Sequence, residues 1–147
     1  MLQIPNEILA RIHRNAEEAY PEEGAGFLLG ADGDARHVTE IFALPNAREE
    51  TARQNRYLIT PEDYLKAELA AERLGLGLIG VFHSHPDHPN RPSEYDREWA
   101  QPFFSYIITT VNEGKAIESR SWRLLEDRSK FEEEIIQLSE PQRSQRA

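Results

Sequence analysis

Between residues 5 and 20 the apolar positions Ile8, Leu9, Ile12, Ala16 and Ala19 recur at helical spacing. That period gathers them on one face of a helix, and Pro5 suits its first turn. The pattern then shortens. Residues 24–30 carry the apolar run Phe27-Leu28-Leu29, Ala31-Asp32-Gly33-Asp34 supplies an Asp-Gly turn, and residues 36–44 form a second run. A β-hairpin is predicted there. Residues 45–55 are polar and turn-rich, which predicts a surface loop, and Tyr57-Leu58-Ile59 predicts a short strand. Thr60 followed by Pro61 reads as a capped helix start, with the helix running to about Leu74 before Gly75. Leu65, Leu69 and the Glu72-Arg73-Leu74 end suggest its buried stripe.

The second half is richer in strands. Residues 76–82 are apolar and partly β-branched, so they predict a buried strand. Residues 93–99 look like a short helix that opens on Ser93. Residues 105–111 and 116–125, joined by Asn112-Glu113-Gly114-Lys115, predict a second hairpin. Residues 129–138, with Phe131, Ile135, Ile136 and Leu138, predict a closing helix. The sum is an α/β sandwich: one domain over residues 1–138, built on a mixed, mainly antiparallel sheet flanked by helices, then a polar, frayed tail at 139–147.

Composition narrows the class. A chain of 147 residues buries about 68–70% of its unfolded surface, enough for one core. A net charge of -9 argues against a nucleic-acid surface, which needs clustered Lys and Arg. No run approaches the ~20 apolar residues of a membrane span, and no basic-then-apolar export pattern is visible. Cytoplasm is therefore the expected location. Zero cysteines exclude disulfides, cysteine nucleophiles and thiolate zinc sites together.

Chemistry concentrates at His83-Ser84-His85-Pro86, followed by Ser93 and Asp96. On a strand, His83 and His85 point to one side and Ser84 to the other. Both rings can then reach one ion, and Asp96, in the first turn of the short helix, can complete the set. Two imidazoles and a carboxylate suit a borderline-soft divalent metal, and three protein ligands leave a fourth position for water. Ser93-x-x-Asp96 also fits a capping box. The two readings are compatible, because a serine hydroxyl can accept from the helix backbone and still donate toward a substrate. His83-Ser84-His85-Pro86-Asp87-His88 overlaps the two-metal pattern of metallo-β-lactamases, but that site needs histidines downstream, and none follows His88. Asp87 and His88 are read as loop residues, with His88 a reserve ligand. His13 falls in the first helix and His37 in an expected edge strand.

Hydrolysis at a metal also needs a proton acceptor. The candidates are Glu22 and Glu23, just ahead of the first buried strand, although an acidic pair after a helix reads first as a solvated turn.

These residues together resemble the JAMM (MPN+, Mov34/PAD-1) metalloproteases in their short prokaryotic form. The likeness rests on Tyr20-Pro21-x-Glu23-x-x-Gly26, on Gly80-Val81-Phe82-His83-Ser84-His85-Pro86 through Ser93 and Asp96, and on Ser105-Tyr106-Ile107-Ile108. It spans roughly residues 2–125. The resemblance implies a JAB1/MPN-like (cytidine-deaminase-like) fold and a zinc-dependent isopeptidase or peptidase. By position, His83, His85 and Asp96 match the ligands of one zinc per chain, Ser93 the oxyanion-stabilising hydroxyl, and Glu23 the acid–base glutamate, with Glu22 one place away. It implies as substrate the C-terminal tail of a ubiquitin-like or sulfur-carrier protein, which could add to a sheet edge beside the metal. The loop at 45–55 is the candidate for contacting the carrier. Only residues 97–104 separate Asp96 from the next strand, which leaves no room for a linkage-selecting insertion. A non-catalytic MPN-type binding module and a 2-His-1-carboxylate iron enzyme are the rival readings. No oligomeric state is implied.

Overall fold

A computed structural model describes residues 1–45 and 59–139. Within these described residues, eight strands form one sheet, in the order β7-β6-β5-β4-β2-β3-β1-β8. They are β1 (Leu2–Pro5), β2 (Ala25–Ala31), β3 (Arg36–Ala43), β4 (Gly77–Pro86), β5 (Ser105–Asn112), β6 (Lys115–Leu124), β7 (Phe131–Glu134) and β8 (Ile136–Ser139). Among the same residues three helices accompany them: α1 (Asn6–Ala19), α2 (Pro61–Arg73) and α3 (Glu94–Trp99). Four strand pairs are antiparallel (β2/β3, β2/β4, β5/β6, β6/β7) and three parallel (β1/β3, β1/β8, β4/β5). The sheet is mixed and mainly antiparallel, as expected.

The middle strands are buried on both faces, which is why their sequences read as continuous apolar runs rather than alternating ones. Phe27, Leu29 and Val81 turn toward α2. Leu28, Phe82 and Ile107 turn the other way and meet Ile8 and Ile12 of α1. Thr60 caps α2 with a full capping box, its hydroxyl accepting from the Asp63 N–H.

Four expectations need correction. Residues 129–138 are not a helix. The spacing of Phe131, Ile135 and Ile136 fits either period, but Ile135 is 71% exposed, so no helical apolar face exists to bury. The segment instead divides between the two rims of the sheet. β7 pairs with β6, and Glu134 turns inward to accept from the Ser105 and Ser121 hydroxyls; β8 then pairs in parallel with β1. β8 runs to Ser139, the first residue of the expected tail. Its partner β1 was not foreseen, because four residues alternating Leu2-Gln3-Ile4-Pro5 give too short a signal.

The stripe assigned to the second helix is on the wrong side. Leu65, Leu69 and Leu74 are 55, 48 and 57% exposed, whereas Ala67 and Ala71 face the sheet. Small side chains let α2 approach closely, and the leucines are left outside. His37 is not on an edge: β3 lies between β2 and β1. The sheet edge expected beside the metal motif is not found among the described residues, where β4 is flanked by β2 and β5 and the rims of the sheet are β7 and β8. Most of the loop expected at 45–55, most of the strand expected at 57–59, and the tail beyond Ser139 lie outside the described residues.

Candidate metal centre

β4 delivers two imidazoles to one point. Alternation along the strand puts His83 and His85 on the face of Val81, and Ser84 on the opposite face with Phe82. Their Nε2 atoms stand 3.2 Å apart. Asp96 approaches from α3, its Oδ1 3.3 Å from His83 Nε2 and its Oδ2 3.4 Å from His85 Nε2. All three residues are buried. A four-coordinate cation with bonds of about 2.0–2.1 Å holds its ligand atoms about 3.3–3.4 Å apart. The Nε2–Nε2 spacing fits that requirement, Asp96 turns one oxygen toward each ring, and this trio is the metal-capable cluster among the described residues.

Local chemistry prepares each ligand. Pro89 O can only accept, so the 2.7 Å bond to His85 Nδ1 puts the proton on Nδ1 and leaves the Nε2 lone pair for a metal. Burial lowers the proton affinity of His83, against the pull of Asp96, which favours the neutral ligand form. For His85 burial acts in the same direction, but the bonds to Asp96 and Pro89, with the charges of Asp96 and Glu23, outweigh it and raise the pKa. Burial works against ionised Asp96, yet His83, His85 and the Ser93 N–H hold its carboxyl far below the usual carboxylate range. The capping box is real as well: Ser93 N–H donates to Asp96 Oδ2 at 2.8 Å and Ser93 Oγ accepts from Asp96 N at 3.1 Å. The cap therefore orients the ligand, and one side chain serves both purposes.

The two glutamates lie just ahead of β2. Ala25 lies opposite His83, and the pairing continues one step as Ser84 N donates to Gly24 O at 3.0 Å and Gly24 N to Ser84 Oγ at 2.8 Å. Regular pairing ends there, one residue short of Glu23. The charge of Glu23 acts on His85 and raises its pKa, so that carboxylate lies near the ligand set. A Cβ on Gly24 would lie 2.5 Å from Asn15 Oδ1, so any larger residue there would push the Asn15 side chain aside.

The remaining candidates are elsewhere. His88 is exposed and outside the cluster. Asp87, at φ 57°, accepts from the Tyr20 hydroxyl and from Glu113 N–H. His13 bonds Ser119 Oγ at 2.8 Å behind the sheet, and His37 is exposed on β3. Sequence reasoning missed Pro89, Asn90 and the cleft beside α3, because none of these carries a motif. That cleft, of about 450 Å³, runs between α2 and α3 and is walled by Ile59, Tyr64, Leu65, Tyr95, Trp99 and Tyr106.

This arrangement can be set against known proteins. A family model described as "Prokaryotic homologs of the JAB domain" matches residues 5–125. A protein of Thermus thermophilus named "Probable TtuB-protein conjugate cleaving protease" is 33% identical over 108 residues, 74% of this chain and 69% of that protein. A "Desampylase" of Haloferax volcanii is 35% identical over 104 residues, 70% of this chain and 73% of its own. The solved structure of protein DSY2949 from Desulfitobacterium hafniense superposes with a TM-score of 0.83 at 29% identity, covering 98% of this chain and 97% of that one. The fold is that of JAB1/MPN domains. With a family match over most of its length and two relatives above 30% identity, the chain belongs to the prokaryotic homologues of the JAB domain.

Proposed function

We propose that this chain is a cytoplasmic zinc-dependent isopeptidase or peptidase that hydrolyses the amide bond following the C-terminal tail of a ubiquitin-like or sulfur-carrier protein. The observation that carries the reading is the convergence of His83, His85 and Asp96, buried together with their ligand atoms all within 4.8 Å of one another, close enough to hold one ion. These three residues would hold the ion. Zinc, when bound, supplies Lewis-acid polarisation of the scissile carbonyl and makes water acidic enough to lose a proton near pH 7.

The chain's own residues complete the reaction. Glu23 takes a proton from the attacking water as its oxygen adds to the carbonyl carbon. The Ser93 hydroxyl, whose proton its capping role leaves unused, donates to the oxygen on which charge develops. Glu23 then returns its proton to the departing nitrogen as the C–N bond breaks. The names of the two relatives, a conjugate-cleaving protease and a desampylase, support the substrate class. Among the described residues β4 is flanked on both sides, by β2 and β5, and offers no open edge to the tail. The aromatic cleft along α3 suits apolar side chains of the tail instead, since Tyr95 and Trp99 stand on the helix that carries Asp96.

The test is incubation of zinc-loaded protein with carrier-protein fusions extended beyond a terminal Gly-Gly, read by mass spectrometry. Cleavage after Gly-Gly by the wild type and not by Glu23→Gln is expected. Intact fusions with zinc bound would favour a binding module, and iron with oxygen-dependent turnover would favour the oxygenase.

A further inference from the structure

Beside the ligand set, the loop after His85 carries a buried polar side chain with no part in the reaction just described. Asn90 is 6% exposed, although residues on either side of it are at the surface. Its Nδ2 donates to Glu118 O at 3.1 Å and to Glu118 Oε1 at 3.2 Å, and its backbone carbonyl accepts from Trp122 Nε1 at 3.0 Å. Glu118 and Trp122 both belong to β6, so Asn90 staples the loop across β5 onto a strand that holds no ligand.

The neighbouring peptide gives that staple its consequence. Pro89 O, the acceptor for His85 Nδ1–H, lies in the peptide unit shared with Asn90. Pro89 is exposed and has no N–H, so it cannot hold its own peptide in place by donating a backbone hydrogen bond. We propose that Asn90, pinned by Glu118 and Trp122, is a positioning residue for the metal centre: it holds the Pro89 carbonyl that sets the tautomer and ring angle of His85. The inference rests on the zinc reading above but not on the assignment of Glu23 or Ser93.

Partners of metal-bound imidazoles commonly affect affinity about 10–100-fold when lost. Asn90→Ala is therefore expected to weaken zinc binding by about that factor. Trp122→Phe keeps an aromatic, though smaller, side chain and deletes the Nε1 donor, and a smaller loss in the same direction is expected. Arg91→Ala, at an exposed neighbour, should bind as the wild type does.

Zinc affinity is measured on the full chain by competition with a chromophoric chelator. The His85 Nδ1 proton is followed in parallel by NMR of the zinc-loaded protein. A purely structural role for Asn90 would lower the melting temperature while leaving affinity and that resonance unchanged, and this result overturns the proposal. If Asn90→Ala does not fold, Trp122→Phe decides: unchanged affinity sinks the idea, and weakened affinity with a faster-exchanging imidazole proton supports it. A wild type that fails to bind zinc removes the metal reading and this inference together, whereas equal binding by wild type and variants removes only the inference.

Discussion

The Tyr20 hydroxyl donates to Asp87 Oδ2 at 2.7 Å, joining the segment that leads into Glu23 to the loop that leaves His85. Asp87 is itself held, its Oδ1 accepting from Glu113 N–H and its N–H donating to Val111 O. A second tie lies deeper, where Gly24 and Ser84 exchange two bonds. The glutamate strand and the histidine strand are therefore fastened at both ends of the site. Tyr20→Phe should keep zinc stoichiometry and fold while lowering kcat. The loss should stay below the ~10²-fold that a 1 Å misplacement costs, because the Gly24–Ser84 tie remains. An unchanged kcat would show that the deeper tie alone sets the geometry.

Glu23→Gln should retain zinc and lose about 10²–10⁴-fold in turnover, the usual cost of removing a general acid–base group. Glu22→Gln should turn over normally. Both expectations rest on register: with Ala25 opposite His83, continuing the alternation ahead of β2 would carry Glu23 rather than Glu22 to the ligand face. A dead Glu22→Gln beside an active Glu23→Gln would mean that the chain twists by one residue ahead of β2.

Ser93 offers a separable pair of effects. Ser93→Ala removes the cap acceptor for Asp96 N, costing about 1 kcal/mol of stability, and also the proposed oxyanion donor, whose loss should cost about 10²–10³-fold in kcat. Ser93→Thr keeps both groups and should recover most of each. Chemical melts and single-turnover rates on the same three proteins tell cap from catalysis. A variant that loses stability but not rate would leave Ser93 a cap alone.

Much of this site was legible before any coordinates. The alternation of His83 and His85, and Asp96 in the first turn after Ser93, are local properties of a strand and a helix start, so spacing alone carries them. Glu23 was harder. Its choice over Glu22 depends on the pairing of β2 with β4, some sixty residues away, and only the family resemblance spoke for it beforehand. Asn90 and Pro89 were invisible, since their roles arise from a loop meeting β6. The misread helix at 129–138 has the same cause. Phe131 and Ile136 are apolar in either reading, and what decides for strands is the exposed edge that β6 and β1 each leave open.

The last prediction concerns pH and lies behind the sheet. His13 is half-buried, with Nε2 2.8 Å from Ser119 Oγ, which lies 2.6 Å from Thr109 Oγ1. Burial lowers its pKa from the ordinary 6.5, with Glu17 on the same helix partly offsetting the effect. A base whose folded pKa is depressed binds its proton first in the unfolded chain. Stability due to neutral His13 is therefore complete above about pH 6.5 and declines as pH falls below it. Urea midpoints of chelator-treated wild type and His13→Gln should diverge at pH 7.5 and converge toward pH 5.5. His83, His85 and the carboxylates are common to both proteins and cancel in that difference. Parallel curves would mean that His13 takes up its proton as easily folded as unfolded, in which case the Ser119 contact must loosen to let the ring reach water.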